Sequence, residues 1–146
     1  MPVLVNTSVM APSMSETELL RMPARDYMNE AQLAFFWQCL KCIEHDLRLN
    51  SEVTGEHLRA VDVAADPADR ATQEEEQAIE LRSRDRERKL LKKIAQALAR
   101  VEAGTYGWCE ETGDAIGLRR LLARPTATLC IEAQERREKM ERVYGG

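Results

Sequence analysis

LAFFWQCLKCIEHDL, residues 33–47, decides the fold. Leu33, Phe36, Leu40, Ile43 and Leu47 recur at spacings of 3, 4, 3 and 4, the seam of a coiled coil. Beyond Leu47 the same register meets Asn50, Thr54 and His57, so the apolar seam fades. The pattern predicts one helix from about Asn29 to about His57, about 40 Å long at 1.5 Å per residue. A second stretch mirrors it. In LLKKIAQALARV, residues 90–101, Leu90, Leu91, Ile94, Ala97, Leu98 and Val101 form a stripe, and Gly104 is the expected stop. Upstream the stripe dissolves into RSRDRERK, residues 82–89. Each helix is apolar at the end far from their connection, so an antiparallel hairpin with a polar tip buries both stripes.

Two starts compete for the second helix. Asp66 can cap it with Pro67 at the first helical position. Thr72-x-x-Glu75 is a capping box that would start it later. Nearer the front, Ser15-x-x-Glu18 is the capping box of a short helix that Pro23 ends.

The bulk numbers agree with long solvated helices. Of 146 residues, 32% are charged and only 5% aromatic, and the net charge is −4. Phosphate binding needs a basic surplus, so direct nucleic-acid binding is not expected. One local exception is residues 82–93, with seven Lys or Arg against two Asp or Glu. Residues 1–14 carry no Lys or Arg and are expected to be disordered. Their broken apolar runs do not make a signal peptide. No stretch has the roughly 18 apolar residues of a membrane span. A cytoplasmic protein with reduced thiols is expected, and a monomer.

The expected organisation is mainly α. Residues 1–14 are the N-terminus, 15–28 a short helix belonging to the globular part, and 29–104 the hairpin, its tip at about 58–71. Residues 105–146 form a degenerate zinc-finger-like region with a C-terminal helix from about Cys130. Within that region Cys109-x-x-Thr112 and Cys130-x-x-Ala133 stand where two CxxC knuckles would hold zinc. A structural zinc takes four N or S donors. A hydroxyl is a poor donor and a methyl is none, so no zinc is expected. Cys39-x-x-Cys42 flanks the helical seam and is read as ordinary helix surface. A metal would contribute on the order of 10 kcal/mol to so small a fold. Packing must replace it, and Trp108, Ile116, Leu118, Leu121, Leu122, Leu129 and Ile131 are the candidates. Each buried Leu or Ile gives about 1.5–3 kcal/mol.

YGWCEETGDAIGLRRLLARPTATLCIEA, DPADRATQEEEQAIELRSRDRERKLLKKI and YMNEAQLAFF together resemble the DksA/TraR family of bacterial RNA polymerase regulators, specifically a zinc-independent branch. The resemblance implies a hairpin that enters the secondary channel of RNA polymerase and modulates initiation with the alarmone ppGpp, repressing rRNA promoters and helping amino-acid promoters. It implies a tip of Asp66, Asp69 and Ala71 facing the polymerase active site. It places ppGpp and rim contacts at Leu90, Lys93 and Arg124, with Arg120 on the same face of the globule. The family's third basic position is Gln134 here, which weakens the expected use of ppGpp.

Two other readings stand beside this one. In a cleavage factor like the Gre proteins, the tip carboxylates would help polymerase cut backtracked RNA. In a thiol or metal sensor, Cys39, Cys42, Cys109 and Cys130 would respond to oxidation or chelation. Asp66 and Asp69 also have a plain role as a helix cap, and His45 and His57 read as surface residues. No nucleophile–base constellation or glycine-rich phosphate loop points to an enzyme.

Overall fold

The computed structural model describes residues 14–60 and 66–144, with residues 51–60 described as backbone only. The expectation for the first 13 residues and the centre of the tip, residues 61–65, lie outside the described residues. The chain is mainly α, a long antiparallel helical hairpin plus a small globular part. Among the described residues five α-helices run in order, α1 (Glu16–Arg21), α2 (Glu30–Ala60), α3 (Pro67–Ala103), α4 (Leu118–Ala123) and α5 (Ile131–Tyr144), with one 3-10 turn at Ala24–Asp26. No strand occurs among the described residues, although Trp108 and Ala115 share one antiparallel bridge.

Capping fixes where the helices start. The Ser15 side chain accepts from the Glu18 N–H at 3.2 Å and opens α1. Asn29 caps α2, its side chain accepting from the Gln32 N–H at 2.9 Å. Gln32 reaches back to accept from the Met28 N–H at 2.8 Å. Two donors at the helix start are thus satisfied reciprocally, in the manner of a capping box. Gln32 is fully buried, and its side-chain amide also meets the Met22 sulfur at 3.6 Å.

The Asp66 start of α3 holds and the Thr72 alternative does not. The Asp66 carboxylate accepts from the Ala68 N–H at 3.0 Å, with Pro67 as first helical residue. Thr72 lies inside the helix, and its hydroxyl donates to the Ala68 carbonyl at 3.1 Å. Proline lacks the N–H that a first-turn residue leaves unpaired anyway, so the earlier start costs no hydrogen bond. Gly104 ends α3 in the left-handed region, at φ 78°.

The chain divides into two compact units, one of Met1–Leu40 with Gln96–Gly146 and one of Lys41–Ala95. In the first, the lobe, Phe36, Leu40, Ala97, Leu98 and Val101 are buried as the seam predicts. Phe35 and Trp37 are buried as well, so α2 is enclosed here on more than one stripe. Phe36 packs against Phe35 at 5.3 Å and against Tyr106 at 5.5 Å between ring centroids. In the second, the outer hairpin, Ile94 alone of the described side chains is buried.

Two expected core residues of the lobe are not core. Trp108 is 40% exposed and Ile131 is 56% exposed, and Leu118 and Leu122 are half-buried. Neighbours in an extended segment point opposite ways. Cys109 faces inward, so Trp108 faces out. Its ring meets Tyr27 edge-on at 5.1 Å. At the start of α5, Cys130 and Ala133 take the inward positions, and the helical rotation turns Ile131 away. Tyr106 supplies the bulk instead, fully buried, with its hydroxyl donating to the Pro125 carbonyl at 2.7 Å. Ile116, Leu121 and Leu129 are buried as expected.

Candidate functional site

Three places carry the residues singled out by sequence. At the start of α3, Asp66, Asp69 and Ala71 are all exposed. Asp66 is committed to capping. Asp69 lies in the first turn, where the helix dipole favours a negative charge. The two carboxylates are three residues apart, a spacing that places them on one side of the turn.

Further along α3, Lys93 is exposed, and so is Leu90, although the sequence places it on the apolar stripe. Asp85 pairs with Lys89 at 3.1 Å and lies 4.0 Å from Arg88, so part of the basic run is laced within its own helix. Leu90 and Lys93 belong to the outer hairpin unit, whereas Arg120 and Arg124 belong to the lobe.

In the lobe, α4 places Arg120 and Arg124 one turn apart. Arg120 does internal work: its Nε donates to the Leu129 carbonyl at 2.9 Å and braces the approach to Cys130. Arg124 is the exposed C-terminal cap of α4. Both line an apolar groove of about 1010 Å³ together with Leu20, Tyr27, Trp108 and Ile131. Tyr27 anchors that wall. Its hydroxyl donates to the Gly107 carbonyl at 2.6 Å and accepts from the Gly117 N–H at 3.0 Å. Burial pushes its pKa up, so it stays a donor. Gly107 is required there. Its φ is 89°, and a Cβ would come within 2.7 Å of the Met28 sulfur. Sequence reasoning left Tyr27 and this groove unassigned. The signal available was LRRLLARP, residues 118–125, a short amphipathic stretch with three arginines.

The knuckle positions converge without a metal-binding donor set. The Thr112 hydroxyl lies 3.8 Å from the Cys130 sulfur and accepts from the Asp114 N–H at 3.2 Å. Cys109 and Cys130 are buried, and Ala133 fills its position with a methyl. Among the described residues no group of three His, Cys, Asp or Glu could hold an ion. Two thiols, one hydroxyl and one methyl do not make a four-donor zinc site. Burial pushes the Cys109 thiol up. Hydrogen bonds from the Thr112 side chain and from the backbone at Cys130, Thr112 and Glu111 outweigh it and bring the pKa down to about 6. The turn is closed by the Gly113 N–H donating to the Cys109 carbonyl at 2.9 Å, and by Cys109 N–H donating to Asp114 at 2.7 Å. Gln134 is half-buried, and its side chain donates to Glu138 at 2.9 Å.

Two family models match in succession along this framework: "DnaK suppressor protein DksA, N-terminal domain" over residues 32–101, and "Prokaryotic dksA/traR C4-type zinc finger" over residues 104–139. The chain belongs to the DksA family. Among DksA relatives, the RNA polymerase-binding transcription factor DksA of Caulobacter vibrioides is 50% identical over 97% of this chain and 94% of its own length. The protein of the same name from Escherichia coli K12 is 50% identical over 85% of this chain and 83% of its own. Transcription factor DksA2 from Pseudomonas aeruginosa has a solved structure with a TM-score of 0.80. It is 52% identical, covering 88% of this chain and 99% of that one. The second DksA match is to a C4-type finger, and within the matched residues 104–139 this chain has two cysteines, Cys109 and Cys130.

Proposed function

We propose that this chain is an RNA polymerase-binding regulator of transcription initiation that works through the secondary channel and needs no zinc. One observation carries this reading: half-identity, over nearly the whole chain, to proteins named RNA polymerase-binding transcription factor DksA. The hairpin tip, with Asp66, Asp69 and Ala71, acts beside the polymerase active site. Leu90, Lys93, Arg120 and Arg124 face the channel rim, where ppGpp binds between factor and polymerase. Arg120 serves there chiefly by holding its loop, given its bond to Leu129. The sparse apolar surface of the outer hairpin suits a narrow aqueous pore, and the basic run at residues 82–93 steers it toward an acidic rim. The protein is a cytoplasmic monomer with no enzymatic activity and no direct recognition of DNA. It represses rRNA promoters and assists amino-acid promoters.

The test is open-complex lifetime on an rRNA promoter with purified polymerase. The chain shortens it, with or without a zinc chelator. Asp69→Asn binds polymerase as tightly and loses most of the effect. Full activity of that variant would remove the tip from the mechanism. Stimulated cleavage of backtracked RNA would favour the Gre-like reading, and activity lost on chelation would favour a metal-dependent one.

A further inference from the structure

The helix that carries the lobe arginines does not hold its own direction. α4 has six residues, and isolated helices below about 12 residues are marginal in water. Its N-cap, Gly117, supplies no side-chain hydrogen bond. Leu121 is fully buried and seats the helix, but apolar burial is non-directional and leaves its rotation open. Two tyrosine hydroxyls hold the chain on either side of it. Tyr27 accepts from the Gly117 N–H at 3.0 Å, and Tyr106 donates to the Pro125 carbonyl, one residue beyond Arg124, at 2.7 Å. We propose that Tyr27 and Tyr106 are positioning residues, a clamp that aims α4 and its exposed Arg124 at an anionic phosphate ligand.

Three observations single out these two hydroxyls. First, Tyr27 reaches its partners across 80 and 90 residues of sequence, so its bonds are not by-products of a local turn. The same hydroxyl donates to the Gly107 carbonyl at 2.6 Å, which also accepts from the Ile116 N–H at 2.8 Å. One phenol oxygen thus ties the two ends of the 107–117 loop together, at the residue from which α4 starts. Second, both hydroxyls stay protonated, because burial raises the pKa of each phenol. Third, backbone bonds carry the hold through to Arg124. Its N–H donates to the Arg120 carbonyl at 2.8 Å, and its carbonyl accepts from the Ala127 N–H at 3.0 Å. Arg120 commits its Nε to the Leu129 carbonyl, which leaves Arg124 as the arginine of the pair presented outward.

The purpose of the clamp rests on the function proposed above, in which Arg124 meets ppGpp at the polymerase rim. A binding constellation works only when held to within about 0.5 Å, by hydrogen bonds behind the side chain that makes the contact. Without the Tyr27 bonds, Gly117 and the first turn of α4 turn about Leu121, and the backbone of Arg124 leaves that position.

The test is the ppGpp concentration that gives half the maximal shortening of open-complex lifetime, read beside polymerase affinity without ppGpp. Tyr27→Phe keeps the ring against Trp108 and removes both hydrogen bonds. It should raise that concentration about five-fold, the scale of one or two lost hydrogen bonds, with a much smaller change in the ppGpp-free affinity. Tyr106→Phe should do the same from the other end, with circular dichroism confirming the helical content of both variants. In a chain that already carries Arg124→Ala, adding Tyr27→Phe should change nothing further, because the clamp acts through that arginine. A parent-like titration would remove the tyrosine concerned from the clamp, and from both variants it would overturn the proposal. So would losses that multiply with Arg124→Ala, or that are equal with and without ppGpp, which mark plain destabilisation. If Arg124→Ala itself titrates like the parent, the rim contact in the proposed function falls, and the aim of the clamp with it.

Discussion

Cys109 keeps surroundings suited to an anion although two of its three knuckle partners carry no thiol. Burial opposes ionisation, and the Thr112 hydroxyl and three backbone groups favour it more strongly, bringing the thiol to about 6. The folded value lies below the ordinary 9.0, so ionisation stabilises the fold. That contribution is complete above about pH 9 and drains away as pH falls through 6. The urea midpoint should therefore drop steadily between pH 9 and pH 6, and Cys109→Ser should flatten that slope. A midpoint independent of pH over this range in the parent chain would show that Cys109 stays neutral. Gln134 makes a second residue-scale statement. Its amide is turned to Glu138, and it carries no charge at the position where the resemblance leads one to expect a base. Gln134→Lys should strengthen the ppGpp response of open-complex lifetime several-fold without changing the response measured in the absence of ppGpp. An unchanged ppGpp titration would remove position 134 from the effector site.

At the scale of elements, the knuckle turn survives its missing ligands. The Gly113-to-Cys109 bond, the Asp114 contact and the Thr112–Cys130 approach all persist. Thr112→Cys with Ala133→Cys should thus restore a four-thiolate set that takes up one equivalent of Zn²⁺ and raises the melting temperature, as elemental analysis and a thermal scan would read. A doubly substituted chain that binds no zinc would show that the turn has drifted from the geometry a metal requires. The long helices were legible from sequence because a 3–4 repeat commits many residues to one face, and the Asp66-Pro67 start follows from proline's missing N–H. The Asn29-x-x-Gln32 cap was not read from the sequence, which placed only the helix start near Asn29, and the fold reveals that Gln32 is fully buried. Trp108 was misplaced for a different reason. Tyr106 and Trp108 would share a side in a regular extended strand. The left-handed Gly107 between them breaks that alternation, sending one ring inward and the other out. Hydrophobicity alone does not encode such a turn. The groove escaped for the same reason, because it is assembled from α1, the knuckle and α4.

Across the whole molecule, burial is unevenly shared. Among the described residues, sixteen of the seventeen buried apolar side chains belong to the lobe unit, and Ile94 is the exception. Leu49, Ile79 and Leu81 of the outer hairpin are exposed and its seam residues Ile43, Leu47 and Leu91 are only half-buried, so its described side chains pack more thinly than those of the lobe. Side-chain identity on that outer stretch therefore matters less for keeping the fold than for what the surface presents. The seam, the caps and the basic run were all visible in the sequence. The division between a densely packed part and a sparsely packed one was visible only as a fading stripe beyond Leu47.

That single buried side chain among those described in the outer hairpin implies a gradient in time as well as in space. Deuterium should enter the amides around residues 70–85 by small openings, orders of magnitude sooner than those of residues 96–101, which wait for global unfolding. A uniform exchange rate along α3 would mean that the sparse half borrows its endurance from elsewhere.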